Sequence, residues 1–404
     1  MRRPSATQLT QPTSPSANSV SYCQLGPPLN LEPPLLSLRS ALFVVFLLAL
    51  LAPNLASALA IIDPGQGPVA LADDAGVSPR ELSGVTWVPG TSEFLAVSDD
   101  QPRVYRLSVG IDPVTGEITN ATTVSSLALT QSNGTPFPVT RDIEGVALGA
   151  GGTSVFVSDE RGPTLREHSL TTGRTLAEVG PTSAPALAVF ANQRTNLGWE
   201  SLTRAPDTGM LWTANEEALT VDGPSGAGIS NTRIRLQQLA PDLTPTAQWA
   251  YRVSGDTVPG TAGNTNGGVS DLVALPGGQL LVLERSAGLV SYPDIDIRDR
   301  IFLVDFSGAS DVTAVASLTS VGVNFVSKTL LWEGLFPDDN FEGIALGPSL
   351  ANGDRSLLLV SDDGAGLNQS LYALRLVGVP EPASVLLLGA GLAAIRAQRH
   401  RVLS

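Results

Sequence analysis

The feature that most constrains this chain is a unit that recurs five times between residues 83 and 363. Each copy holds a short apolar run that opens on an acidic or small polar residue. A Gly/Pro/Asp turn follows, and a second apolar run then ends in acids. The openings are Ser83-Gly84-Val85, Glu144-Gly145-Val146, Glu200-Ser201-Leu202, Asp271-Leu272-Val273 and Glu342-Gly343-Ile344. The closings are Ser98-Asp99-Asp100, Ser158-Asp159-Glu160, Asn215-Glu216-Glu217, Glu284-Arg285-Ser286 and Ser361-Asp362-Asp363. From Ser83 the openings are spaced by 61, 56, 71 and 71 residues. A near-constant period of this kind marks a repeat architecture.

Further strand-like runs follow each pair: Arg103–Val109, Thr164–Leu170, Thr232–Leu239, Arg300–Phe306 and Ser370–Leu376. Fourth runs are read at Thr122–Leu129, Ala247–Val253 and Asp311–Leu318. Four strands per unit about a channel is the plan of a β-propeller. The fold class expected is therefore all-β, a propeller of five four-stranded blades, with six left open. The fifth copy lacks a fourth run, and Gly67–Leu71 is expected to supply it and close the ring. The 40 glycines and 30 prolines agree with many turns and short strands.

In such a ring, acids at one phase of every repeat converge on the axis. Glu144, Glu200, Asp271 and Glu342 are expected to meet there, with Asp99, Asp159, Glu160, Glu216, Glu284 and Asp362 nearby. Crowded carboxylates repel one another unless a positive charge lies among them. Calcium, which takes six to eight oxygen ligands in irregular geometry, is the expected guest. The competing reading is that individual acids cap turns or pair with Arg141, Arg161 and Arg285.

Composition narrows the chemistry. The formal charge is −14. The two ends carry Arg2, Arg3, Arg39, Arg396, Arg399 and Arg401 against Glu32 and Glu381, so the span between them is more acidic still. That argues against nucleic acid, whose affinity rests on neutralising phosphates. The one cysteine, Cys23, lies in the N-terminal segment, so neither a disulfide framework nor a thiol nucleophile is expected. His168 and His400 are the two histidines, which excludes zinc sites built on several imidazoles. A Ser-His-Asp triad has His168 as its one base outside the tail, and His168 is expected on the surface. There is no Gly-x-Ser-x-Gly nucleophile elbow.

Each end reads as a sorting segment. Residues 1–60 form a leader and signal peptide. Arg39 precedes the apolar run Ala41–Ala52, and small residues follow with cleavage at Ala58 or Ala60. The run is shorter than the ~20 residues of a spanning helix, and a retained anchor is the competing reading. Residues 61–378 form the repeat domain. Residues 379–404 hold Val379-Pro380-Glu381-Pro382, an apolar stretch at Val385–Ile395 read as a transmembrane segment, and a basic end that stays cytoplasmic. This order resembles the PEP-CTERM sorting signal of Gram-negative bacteria; a plain single-span anchor is the alternative. The resemblance implies processing by an exosortase after signal peptidase. It also implies delivery to the cell surface, outer membrane or extracellular matrix, with membrane contact through the tail alone.

Seven runs appear in a telling order: Arg141-Asp142-Ile143-Glu144-Gly145, Ser158-Asp159-Glu160, Asn196-Leu197-Gly198-Trp199-Glu200, Ser270-Asp271-Leu272, Leu283-Glu284-Arg285-Ser286, Lys328-Thr329-Leu330-Leu331 and Phe341-Glu342-Gly343-Ile344-Ala345. This order resembles the phytase-like, esterase-like family of exported bacterial proteins over roughly residues 80–375. The resemblance implies a propeller and phosphoester hydrolysis. It points to Asp142, Glu144, Asp159, Glu160, Asn196, Glu200, Asp271, Glu284, Arg285, Lys328 and Glu342. Lys328 is the sole lysine of the chain.

The expected roles follow. Asp142, Asp159, Glu160, Glu200, Asp271, Glu284 and Asp362 are the candidate metal ligands. Glu144 or Glu342 takes a proton from water. Arg285, Arg161 and Lys328 bind phosphate charge. The substrate expected is a phosphorylated small molecule. Two other readings are a non-catalytic propeller that binds a ligand or surface polymer, and a metal-dependent lactonase.

Overall fold

The computed structural model describes residues 59–73, 78–138, 141–225, 231–254, 258, 265–291, 294–364 and 367–379. The leader, its signal-peptide run and the apolar stretch of the tail lie outside the described residues. Among the described residues no helix is long and apolar enough to cross a membrane.

The described chain is almost entirely strand. Three short strands come first: β1 (Ala60–Ile62), β2 (Val69–Ala70) and β3 (Ala72–Asp73). Blade 1 comprises β4 (Leu82–Trp87), β5 (Glu93–Ser98), β6 (Arg103–Ile111) and β7 (Ile118–Ala128). Blade 2 comprises β8 (Ile143–Leu148), β9 (Ser154–Asp159), β10 (Thr164–Ser169) and β11 (Thr175–Val179). Blade 3 comprises β12 (Thr203–Arg204), β13 (Leu211–Ala214), β14 (Arg233–Leu239) and β15 (Pro245–Arg252). Blade 4 comprises β16 (Thr265–Ala274), β17 (Leu280–Ser291), β18 (Asp294–Asp305) and β19 (Ser327–Pro337). Blade 5 comprises β20 (Asn340–Ser349), β21 (Arg355–Asp362) and β22 (Ser370–Val377). Each blade is an antiparallel meander, and the structure has five blades.

The ring closes with N-terminal strand, as expected, but through two strands. β1 pairs along β22 from Ala60↔Val377 to Ile62↔Arg375, and β2 pairs Val69↔Leu371. Cleavage at either Ala58 or Ala60 leaves Ile61 and Ile62 in this edge.

Apolar burial lies at the junctions between blades. Val85, Phe94 and Leu107 pack with Leu358 and Val360 between blades 1 and 5. Val97 and Leu95 pack with Val146 and Val157 between blades 1 and 2. Similar clusters join blades 2 and 3, 3 and 4, and 4 and 5. Closing the ring buries the outer blade faces against each other, so no blade is stable without its neighbours.

Two sequence expectations are corrected here. Asp311–Leu318 is not the fourth strand of blade 4; β19 fills that place. The segment instead seals the outer edge of blade 3. Val312 N–H donates to the Gln248 carbonyl at 2.8 Å, and Arg235 donates to the Val312 and Val315 carbonyls. His168 is not on the surface. It is fully buried in β10, edge-on to Phe137, with Nδ1 3.0 Å from the Gly173 carbonyl. Burial, offset in part by that hydrogen bond, lowers its pKa to about 4.

Every inner strand slips by one residue against its partner at the same place. β4 skips Ser83 between Leu82↔Ser98 and Gly84↔Val97. β16 skips Ser270 between Val269↔Glu284 and Asp271↔Leu283, and β20 skips Glu342 between Phe341↔Ser361 and Gly343↔Val360. β8 shifts between Ile143 and Val146. In blade 3, Trp199↔Asn215 and Thr203↔Trp212 require the same slip near Glu200. Such β-bulges re-aim a side chain, and here they turn one residue per blade toward the axis.

The residue after the bulge sits where neighbouring inner strands nearly touch. A Cβ on Gly145 would lie 2.2 Å from Leu202 N, one on Gly84 2.3 Å from the Glu144 carbonyl, and one on Gly343 2.7 Å from the Ser83 carbonyl. Blade 4 places Asp271 at this position. Its Oδ1 accepts N–H bonds from Leu272 (2.8 Å) and Leu202 (3.4 Å), and its Oδ2 accepts one from Ile344 (2.8 Å). One buried side chain thus ties blades 3, 4 and 5.

Gly145→Ala is expected to lower stability by about 3 kcal/mol or more, because backbone rather than a movable side chain blocks the Cβ. Asp271→Ala, which strands three buried N–H groups, is expected to cost a similar ~3 kcal/mol or more. Urea unfolding of both variants checks this; a loss under 1 kcal/mol for either contradicts it.

Candidate metal centre

The shared bulge gives a residue-by-residue alignment of the blades, and with it two rings. The bulge position holds Ser83, Glu144, Glu200, Ser270 and Glu342. The residue that follows the partner of the residue just before the bulge is Asp99, Glu160, Glu216, Arg285 or Asp362 in the five blades. The position two residues before each bulge adds Glu81, Asp142, Gly198, Gly268 and Asn340. The two glycines have a steric reason. A Cβ on Gly198 would meet Glu160 Cγ at 2.8 Å, and one on Gly268 would meet Glu216 Cγ at 2.4 Å.

Two carboxylate groups result. Oxygens of Asp99, Asp142 and Glu144 lie within 4.8 Å of one another, as do oxygens of Glu160, Glu200 and Glu216. Arg285 lies beside them. Its Nη1 is 3.0 Å from both Asn340 Oδ1 and Glu342 Oε1, and its Nη2 is 3.2 Å from Glu216 Oε1. Asn340 Nδ2 donates to Glu342 (2.8 Å) and Asp362 (3.2 Å). A cavity of about 340 Å³ opens over this end of the channel, lined by Glu81, Asp99, Arg285, Asn340 and Asp362 among others.

The electrostatics follow from burial and crowding. Burial, with Asp362, Glu342 and Glu81 nearby, raises the Asp99 pKa to about 8. Burial raises Glu216 to about 7 although Arg285 opposes it. Burial and the surrounding carboxylates push Glu144 and Glu200 well above the usual range, and Glu342 and Asp362 are also raised. Burial disfavours the Arg285 cation, but Glu342, Glu216 and Glu200 outweigh it and hold the guanidinium charged.

The donors fit a hard cation. All are carboxylate oxygens, the set calcium prefers. Asp99 Oδ1 is buried with no hydrogen-bond partner among the described residues, and so are the bulge hydroxyls Ser83 Oγ and Ser270 Oγ. Buried polar atoms in a native fold are nearly always satisfied, and these oxygens are ones a bound cation would satisfy.

Of the eleven expected site residues, the structure brings together Glu144, Glu342, Arg285, Asp142, Glu160, Glu200 and Asp362. Four stand elsewhere. Asp271 occupies the position after the bulge and holds backbone. Asp159 and Glu284 precede the second ring by one residue and face into the blades. Asp159 Oδ2 accepts from Arg166 Nη1 at 2.6 Å and Arg141 Nη1 at 3.2 Å. Glu284 accepts from the Tyr251 hydroxyl (2.6 Å), Ser254 N (3.0 Å) and Lys328 Nζ. Lys328 sits on the outermost strand of blade 4, over the Tyr251 and Phe302 rings, with its ammonium also on the Arg252 carbonyl. Arg161 lies at the rim, its side chain more than half exposed, with Nε 2.8 Å from Asp142 Oδ2. Asp99 and Glu216, placed only nearby from the sequence, complete the two groups. The signal for them was the bulge, which the repeat pattern alone does not show.

Comparison with known proteins places the chain in a family. Residues 80–365 match the family model described as phytase-like, esterase-like activity of phytase. The chain belongs to this phytase-like family. Residues 378–401 match the PEP-CTERM protein-sorting motif, which marks export and surface association in Gram-negative bacteria through an exosortase. Among solved structures, hydrazine synthase of Kuenenia stuttgartiensis is 11% identical over 72% of this chain, which spans 60% of that one (TM-score 0.32). Glutaminyl cyclase of Myxococcus xanthus is 13% identical, covering 76% and 97% of the two chains (TM-score 0.31). The calcium-binding regucalcin of Agrobacterium tumefaciens is 12% identical, covering 78% and 98% (TM-score 0.34). No curated protein matches. No function is transferred from these distant likenesses.

A pH dependence follows. Asp99 titrates near 8 in the fold but near 3.8 unfolded, and Glu216 near 7 against 4.5. Folding therefore takes up protons, and this stabilisation is complete below about pH 4 and lost as pH rises to 8. In chelator, the melting temperature is expected to fall between pH 5 and pH 8, and calcium is expected to abolish the fall. A flat profile in chelator contradicts the assignment.

Proposed function

We propose that this protein is a metal-dependent phosphoester hydrolase whose site is the acid end of the propeller channel. The observation that carries the reading is the pair of three-carboxylate groups at one end of the channel, with the half-buried Arg285 guanidinium against Glu216 and Glu342. Family membership supports a hydrolase. Asp99, Asp142 and Glu144 would hold one divalent cation, and Glu160, Glu200 and Glu216 a second, with calcium the best match to the donors. Bound calcium supplies Lewis-acid polarisation of a phosphoryl oxygen and a lowered pKa for water.

The chain's own residues do the rest. Glu144, whose pKa burial and the neighbouring carboxylates raise well above the usual range, accepts a proton from water. Arg285 stays cationic and, through its neighbours Glu342 and Asn340, presents a fixed positive charge to an anionic substrate. Lys328 and Arg161, expected from the sequence to bind phosphate, have other tasks: Lys328 secures Glu284, and Arg161 pairs with Asp142 at the rim. The mouth between Glu81, Asp99 and Asp362 repels an anion unless cations neutralise it, so the activity depends strictly on metal. The surface, outer membrane or matrix is the proposed location, with the channel open to soluble phosphoesters.

The test is phosphate release from phytate and an aryl phosphate by metal-stripped protein, with and without calcium. Release is expected only with calcium, and Glu144→Gln is expected to lower kcat by about 100-fold or more while the protein stays folded. Calcium that raises the melting temperature without any phosphate release would instead mark a non-catalytic, ligand-binding propeller.

A further inference from the structure

We infer that the opposite end of the channel is a second site, one that binds an amphiphile with a single anionic head group and an apolar tail. Below the acids the channel changes character. Val85, Val146, Leu202, Leu272 and Ile344 stand two residues after the respective bulges, and all are buried. They form an aliphatic layer that separates the acid end from a cavity of about 660 Å³ at the far end. That volume is within the range of small-molecule sites, about 300–1,000 Å³. Four members of the layer line the cavity, together with Trp87, Leu148 and Leu346 in its walls. Such a lining suits an alkyl or aryl tail.

The head-group class comes from Arg204, which also lines the cavity. Its Nε is buried with no hydrogen-bond partner, and among the described residues no acid pairs with it. A half-buried guanidinium without a counter-ion, in a chain of formal charge −14, is an unmet demand for an anion. Arg355, the other arginine of the lining, is engaged: its Nε and Nη2 donate to the Gly347 carbonyl, and its guanidinium lies 5.4 Å from the Trp87 ring. Arg204 therefore selects a carboxylate or phosphate monoester head, and selects against a cationic one.

The same end is where the chain leaves the domain. β20 runs from the acid end to the far end, β21 returns, and β22 runs out again to Val377. Val379 packs into the cluster that holds Leu346, a wall residue of the cavity. The sorting motif begins at residue 378, so its first two residues lie at this end of the domain. The acid mouth opens at the opposite end.

The purified full-length protein is titrated calorimetrically with decanoate, decyl phosphate, decanol and decyltrimethylammonium, each below its micelle concentration. Decanoate and decyl phosphate are expected to bind one per chain, with a change in Trp87 emission, and the ammonium probe is not. Arg204→Gln is expected to weaken both anions at least tenfold and leave decanol unchanged. If Arg204→Gln fails to fold, Leu148→Trp, which fills the cavity from another blade, is expected to abolish uptake. No uptake of any probe, equal uptake of cation and anions, or indifference to both substitutions overturns the proposal. Sedimentation with phosphatidylglycerol vesicles without uptake of monomers overturns it too, in favour of membrane docking. Calcium-dependent phosphate release is unaffected by Arg204→Gln, so this site stands or falls independently of the acid end.

Discussion

The structure depends on how closely five inner strands approach at the axis. Backbone nearly touches backbone at Gly84, Gly145 and Gly343, and no side chain fits there. In blade 4 the gap is met differently. Asp271 fills it and accepts N–H bonds from Leu202, Leu272 and Ile344. Burial raises its pKa well above the usual range, against the opposing pull of those three bonds. A carboxylate is the right group because it offers acceptors on two oxygens to donors on two neighbouring blades. With the strands held this close, a one-residue bulge in each blade is enough to bring Glu144, Glu200 and Glu342 together.

Much of the fold was legible in the residues. The recurring acid–small–aliphatic opening, the turn and the acidic closing put strands in register with blades, and the count of five follows from the period. What was not legible was the phase of single residues. Asp271 follows Ser270 as Gly145 follows Glu144, but an acidic side chain in the right neighbourhood looks like a ring member unless the bulge is seen. Asp159 and Glu284 misled in the same way: each stands one residue before a true ring position, and alternation sends it into the blade. There it meets arginines or Lys328 rather than the channel. Segments that wrap a neighbouring blade, such as Asp311–Leu318, are equally hidden, because their hydrogen bonds go to a strand 63 residues away.

The channel is polarised along its axis by strand alternation alone. At the bulge the side chains are carboxylates in three blades and serines in two; two residues on they are aliphatic; beyond those, Trp87, Leu148, Arg204 and Leu346 open to a second cavity. The aliphatic layer separates the two cavities. The last described residues, to Val379, lie at the apolar end, opposite the acidic mouth.

The most direct test of the central claim is the location of bound cation, read by anomalous diffraction from crystals grown with calcium or a lanthanide. The blade alignment predicts ions among Asp99, Asp142 and Glu144 and among Glu160, Glu200 and Glu216, with Arg285 against Glu216 of the second group. Ions bound instead at Asp159, Asp271 or Glu284, or no ion in the channel at saturating calcium, would contradict it.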